Sequence, residues 1–342
     1  MPIGLLHQTD LFRPYNDPDD HWDLACVYAL AARGAFVLRG VLIDAPPHSR
    51  FAPDVEAVAQ MNCLHGVAVP CAIGSSQPLA APGDTLAGRD RVEHAGARWL
   101  LTMLEASHEP VFITIVGSCR DVALAANSEP ELFRQRCAGV LLNAGYGAPR
   151  LAPEWELEYN VQRDVAAYRA MFNLPCPLYW LPCFEDERRG EVTEWGTLWW
   201  FRQGEVLETL SVGLQRYFAY ALGQVAEPGW HQYLSAGDQQ QILRVVGADD
   251  RFMWSTAGIF HAAGLTVGTG GEIAPVGSPG IDPVYEFLRV RVHCSAAGQT
   301  SWDRDTGSGD QYLFRVRYRE HYRSAMTRAL GDLLQTTLGS PR

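Results

Sequence analysis

Short apolar runs alternate with longer helical patterns through the first half of this 342-residue chain, and that alternation limits the folds open to it. Candidate strands span residues 3–9, 36–43, 67–73, 111–116, 139–142 and 178–181. Helical patterns fall between them at about residues 19–33, 53–64, 92–106, 121–126 and 163–172. The order predicts an α/β fold: a mainly parallel open sheet flanked by helices on both faces. Each strand ends in a turn rich in Gly or polar residues: Asp44, Gly74-Ser75-Ser76, Gly117-Ser118, Asn143-Ala144-Gly145 and Cys183-Phe184-Glu185-Asp186. In a parallel sheet these turns meet on one edge, where open α/β proteins keep their ligands.

The first such turn carries Asp10, Asp17, Asp19 and Asp20. Helix capping accounts for much of this charge. Asp17 before Pro18 suits a helix start, and Asp19 and Asp20 suit a first turn whose dipole favours anions. Asp10 has no helix of its own to cap. With its neighbours it suits a hard cation such as Ca²⁺ or Mg²⁺, which prefer carboxylate and carbonyl oxygens. A second polar cluster holds Glu158 and Asn160, two apart and therefore on one side of an extended segment, a pairing that suits adjacent sugar hydroxyls. Asp164, further on, reads as a helix cap.

The second half is less regular. Residues 197–222 read as a long helix dense in aromatics, which points to core or a subunit interface. Residues 268–283 read as a Gly/Pro loop, and a last strand at 312–318 precedes a terminal helix at 321–338. With 47% hydrophobic residues and neither linker nor repeat, residues 1–342 are expected to form a single domain. The net charge of −11, from 28 basic and 39 acidic residues, argues against nucleic acid or an anionic membrane surface as partner. A small neutral or cationic ligand fits better. The start of the sequence reads as neither signal peptide nor membrane span, so a cytoplasmic protein is expected. Eight cysteines without CxxC spacing are expected to be reduced and packed.

Several of these segments together resemble the inosine-uridine-preferring nucleoside hydrolases. They are Asp10 followed by Pro18-Asp19-Asp20; Val67-Ala68-Val69-Pro70 with Gly74; and residues 110–117 leading to Asp121-Val122-Ala123-Leu124-Ala125 and Pro130-Glu131. Val140-Leu141-Leu142-Asn143-Ala144-Gly145-Tyr146-Gly147 and Glu158-Tyr159-Asn160 with Asp164-Val165-Ala166-Ala167 continue the match in order. It is good to about residue 186 and looser beyond. The resemblance implies Ca²⁺-dependent hydrolysis of the N-glycosidic bond of a ribonucleoside or related riboside. It implies Asp10, Asp20 and the Val116 carbonyl as metal ligands, and Asp10 as base toward the attacking water. Asp19, Asp44, Asn143, Glu158 and Asn160 would line the sugar pocket, and a homodimer or homotetramer would be the assembly.

The departures from the family are specific. Gln8 stands where the family has an Asp two residues before the metal Asp, and Asp44 stands where it usually has an Asn. The turn from residue 11 to 17 is longer, as in a divergent branch of the fold. The late His-Asp, which would supply a leaving-group acid and another calcium ligand, is replaced by Trp254-Ser255. Trp254 would stack on the aglycone or pack in the core, and Asp249 or Asp250 would be a substitute for the missing charge. These departures leave open a non-catalytic ribose- or nucleoside-binding protein of the same fold, and a metal-free two-carboxylate glycosidase.

Overall fold

A computed structural model describes residues 3–14, 18–46, 50–150, 155–225, 229–305, 307 and 309–335. Its centre is one nine-stranded sheet. In chain order the strands are β1 (Gly4–Thr9), β2 (Val37–Ile43), β3 (Cys71–Ile73), β4 (Val111–Ile115), β5 (Cys137–Asn143), β6 (Leu178–Leu181), β7 (Tyr285–Cys294), β8 (Thr300–Arg304) and β9 (Gln311–Val316). Across the sheet they run β8-β7-β9-β6-β5-β4-β1-β2-β3. From β9 to β3 every pairing is parallel; β7 is antiparallel to both β9 and β8.

The parallel strands are covered on both faces, which is why they read as unbroken apolar runs. All six residues of β1 are buried. Leu5 packs into a core with the helices Asp19–Ala32 and Arg319–Gln335. Leu6, on the opposite face, joins a second core with the helices Ala95–Ala106 and Arg120–Ser128. The helix Asp19–Ala32 is buried from Asp19 through Leu30, so it is enclosed on nearly all sides.

The aromatic stretch at 197–222 is not one long helix. Trp199–Arg202 is a strand, paired antiparallel with Asp250–Met253, and it alternates buried Trp199 and Phe201 with outward Trp200 and Arg202. Helices Gln203–Leu207 and Val212–Leu222 follow, the second capped by Ser211, whose hydroxyl accepts from the Leu214 N–H. Apart from Trp200, the aromatics are core. Trp22 stacks on Phe218 at 4.0 Å and meets Phe201 edge-on at 5.0 Å.

Three further differences are local. The helix read at 163–172 is Val165–Met171, capped by Asp164 as expected through the Ala167 N–H, and a further short helix, Tyr159–Arg163, precedes it. In the Gly/Pro stretch, Ile273–Pro275 pairs with Leu265–Val267. The second half also contributes sheet, since β7 and β8 form an edge hairpin in which outward Arg289, Arg291 and His293 alternate with buried Val290 and Val292. All eight cysteines are free, and no helix among the described residues is long and apolar enough to cross a membrane.

Candidate functional site at the carboxyl edge

The strand-ending turns meet as the topology requires. Asp10 follows β1 and is 1% exposed; Asp19 and Asp20 open the helix Asp19–Ala32 and are also buried. Asp17 lies outside the described residues. Backbone after β4 packs tightly on this turn. A Cβ on Gly117 would stand 3.0 Å from the Asp10 Cβ and 3.0 Å from Asp44 Oδ2, so a side chain there would push both acids away.

A cavity of about 330 Å³ opens at this edge, lined by Asp19, Val116, Asn143, Glu158, Tyr159, Asn160, Cys183, Phe184, Arg189 and Trp254. Five of the sequence-derived site residues other than Trp254 are thus brought together, from β4, β5 and two helix starts. Glu158 is in extended conformation and caps the helix Tyr159–Arg163. Its Oε1 accepts from Asn160 N at 2.9 Å, and its Oε2 accepts from Gly145 N at 2.8 Å and Val161 N at 3.4 Å. Asn160 is therefore placed by a helical turn, not by the extended segment expected. Its Nδ2 donates to the carbonyls of Asn143 at 3.3 Å and Val116 at 3.5 Å. Gly145, at φ +84°, supplies the bend that turns its N–H to Glu158.

Asp10 and Asp20 are not among the lining residues, and neither is Asp44. Its Oδ1 accepts from Gln8 Nε2 and its Oδ2 from Ser118 N at 2.7 Å, so it braces the turns after β1 and β4. Burial raises its carboxyl above the ordinary value, against the Arg163 charge and the Ser118 hydrogen bond. Behind it, Arg120 pairs with Asp164 at 3.2 Å, and Asp164 also accepts from Leu79 N at 2.8 Å.

Also in the cavity wall, Trp254 meets Phe184 at 5.9 Å and 76°. Ser255, beside it, donates to Asp23 Oδ2, and Thr256 Oγ1 donates to Asp23 Oδ1 at 3.4 Å. The Ser hydroxyl thus ties two helix starts together. Asp250 pairs with Arg202 at 3.3 Å on the surface, and neither it nor exposed Asp249 lines the cavity. His261 packs between Tyr179 and Phe287, at 4.6 and 4.3 Å, and burial lowers its pKa to about 4. Sequence reading did not assign Cys183, Phe184, Arg189, Tyr159 or Asp23 to the site. Cys183 and Phe184 carried a signal in their strand-ending turn, and Tyr159 in its place between Glu158 and Asn160.

The donors Asp10, Asp20 and the Val116 carbonyl are all oxygens, the set that Ca²⁺ or Mg²⁺ takes. Nearby in sequence or on the cavity wall, Thr9 Oγ1 and Asn160 Oδ1 are buried without a hydrogen-bond partner among the described residues. Such oxygens call for a ligand, ion or water. In kind, the residues fit an oxygen-ligated cation, with one carboxylate fewer than the resemblance implies. Among the described residues no group of three or more His, Cys, Asp or Glu is arranged to hold a metal.

Sheet order and cavity define an open α/β protein with a pocket of polar and aromatic residues at the carboxyl edge. Its fold is that of the nucleoside hydrolases. No family model and no curated protein matches the sequence. The inosine-uridine preferring nucleoside hydrolase from Bacillus anthracis matches the structure with a TM-score of 0.51 at 12% identity, over 97% of this chain and 99% of that one. A plant nucleoside hydrolase matches with 0.50 at 15% identity over 100% of both. The type III effector protein XopQ, solved in complex with adenosine diphosphate ribose, matches with 0.50 at 14% identity, over 99% of this chain and 94% of that one.

Proposed function

We propose that this protein is a Ca²⁺-dependent N-ribosyl hydrolase, which splits a ribonucleoside or related riboside into free base and ribose. One observation carries the reading: Asp19, Asn143, Glu158 and Asn160 converge with the Val116 backbone in one cavity whose wall also holds Phe184 and Trp254. Hydroxyl-binding groups and aromatic rings in one wall match the two halves of a riboside. That neighbours of the same fold include nucleoside hydrolases, and one bound to adenosine diphosphate ribose, supports the same ligand class.

In this reading Asp19, Glu158 and Asn160 hold the ribose hydroxyls. Glu158 keeps lone pairs for them beside its three backbone N–H bonds, and Asn160 offers its buried Oδ1. Asp10 takes the proton of the attacking water as oxygen bonds to the anomeric carbon and the C–N electron pair leaves with the base. Ca²⁺ bound by Asp10, Asp20 and the Val116 carbonyl would make that water more acidic and orient it. The test is base release from a panel of ribosides, with Ca²⁺ and with a chelator. Release that the chelator abolishes is the expected result. Binding of ribosides without release from any of them would overturn hydrolysis and leave a binding protein.

A further inference from the structure

We infer that the pocket selects N-ribosides whose aglycone is a cationic heterocycle, of the pyridinium type, over those with neutral purines or pyrimidines. The inference rests on the hydrolase reading and follows from which proton donors surround the leaving group.

A neutral purine or pyrimidine departs as an anion unless an acid protonates it. Among the described residues of the cavity wall, the acids not placed on the sugar are the Cys183 thiol and the Tyr159 phenol, both weak. The wall contains no histidine among them. Trp254 is in the wall, and an indole N–H donates hydrogen bonds without giving up its proton near neutral pH. Arg189 holds its protons too firmly to serve. Its Nη2 donates to the Tyr146 hydroxyl at 2.7 Å, and its guanidinium lies 5.5 Å from the Phe184 ring. The Tyr159 hydroxyl accepts from Arg163 Nη1 at 3.4 Å on a ring that is 40% exposed. Glu158 is committed as acceptor of three backbone N–H groups. Ser255, in the neighbouring position, donates to Asp23.

A pyridinium aglycone needs no acid. When its C–N bond breaks, the electron pair moves onto the ring nitrogen, cancels the positive charge and releases a neutral heterocycle. Water supplies the new oxygen on the anomeric carbon, and its proton passes to Asp10. Riboside cation plus water thus gives ribose, neutral base and one proton.

Three features of the pocket favour such a ligand. Two carboxylates, Asp19 and Glu158, face one guanidinium in the wall, so it is net negative. Trp254 adds an aromatic wall of the sort that attracts an aromatic cation, while the Phe184 ring already carries the Arg189 guanidinium. The Trp254 Nε1–H is buried without a partner among the described residues, so a carboxamide oxygen on the ring would satisfy it.

The test uses the full chain with added Ca²⁺ on four substrates in parallel: nicotinamide riboside, para-nitrophenyl riboside, inosine and uridine. Base release should favour nicotinamide riboside over inosine and uridine in kcat/KM by roughly 10²–10⁴-fold, the usual contribution of a leaving-group acid. The nitrophenyl riboside, whose phenolate also leaves without an acid, should be cleaved as well. Inosine or uridine within about tenfold of nicotinamide riboside would overturn the inference and leave the hydrolase reading standing. Cleavage of the nitrophenyl riboside with none of nicotinamide riboside would overturn it too. No release from any of the four would overturn the hydrolase reading itself.

Discussion

At the scale of single residues, two departures from the family pattern are one. The family's Asp before the metal Asp is Gln8 here, its Asn after the second strand is Asp44, and the structure joins the two through Gln8 Nε2 and Asp44 Oδ1. Acid and amide have exchanged strands, which keeps one negative charge and one donor at the junction. Gln8→Asp alone should set two buried carboxylates against each other and cost about 2–4 kcal/mol. Adding Asp44→Asn should recover the stability to within about 1 kcal/mol, a coupling that urea denaturation of the four proteins at pH 8 measures directly. Additive single effects would show that the contact is incidental. Asp10→Asn is expected to act differently, since it changes the proposed base. It should lower kcat by roughly 10²–10⁴-fold with the melting temperature nearly unchanged, whereas a mutant that keeps its rate would exclude Asp10 as base.

At the scale of elements, the short helix Tyr159–Arg163 exists as placed because Glu158 caps it and also holds the Gly145 turn. Glu158→Gln keeps one acceptor and loses the charge, so it should destabilise the fold by about 1–2 kcal/mol. Because Asn160 rides on that helix, KM for a riboside should also rise roughly tenfold, equal to about 1.4 kcal/mol. An unchanged KM in a folded variant would detach Glu158 and Asn160 from the sugar. This helix also shows where sequence reading reaches and where it stops. Strand ends are legible because buried parallel strands are apolar throughout and their turns are not, so Asp10, Val116 and Asn143 could be set on one edge from pattern alone. The conformation of Glu158 was not legible, because two polar residues two apart look alike in a strand and at a helix start. Trp199–Arg202 was lost for the opposite reason: aromatics on both faces hide a period of two. The pairings Gln8–Asp44 and Ser255–Asp23 join residues 36 and 232 apart, and only tertiary structure brings such pairs together.

At the scale of the whole molecule, two buried groups tilt stability with pH in opposite directions. Asp121, beneath the cavity turns, accepts from Ser75 N through both oxygens and packs where a Cβ on Gly96 would meet it at 2.8 Å. Burial first, and the Asp44 charge second, push its carboxyl up to about 6 from the ordinary 3.8. The native state then binds this proton more tightly than the unfolded chain does. Its contribution is fully present below pH 3.8 and is lost as the pH rises through about 6, a change of about 3 kcal/mol. His261 runs the other way. Its folded pKa of about 4 lies below the ordinary 6.5, so its contribution is present above 6.5 and is lost as the pH falls toward 4, again by about 3 kcal/mol. The two offset each other between about pH 4 and 6, so the slope of the parent protein conceals both. Each variant removes one of them. Relative to the parent, Asp121→Asn should gain about 3 kcal/mol as the pH rises through this range, and His261→Phe should lose about as much. Denaturation curves for the three proteins, taken at several values from about pH 4 to 7, measure both slopes. Parallel curves for a variant and the parent would show that the group does not titrate with folding, and would remove burial as the force acting on it.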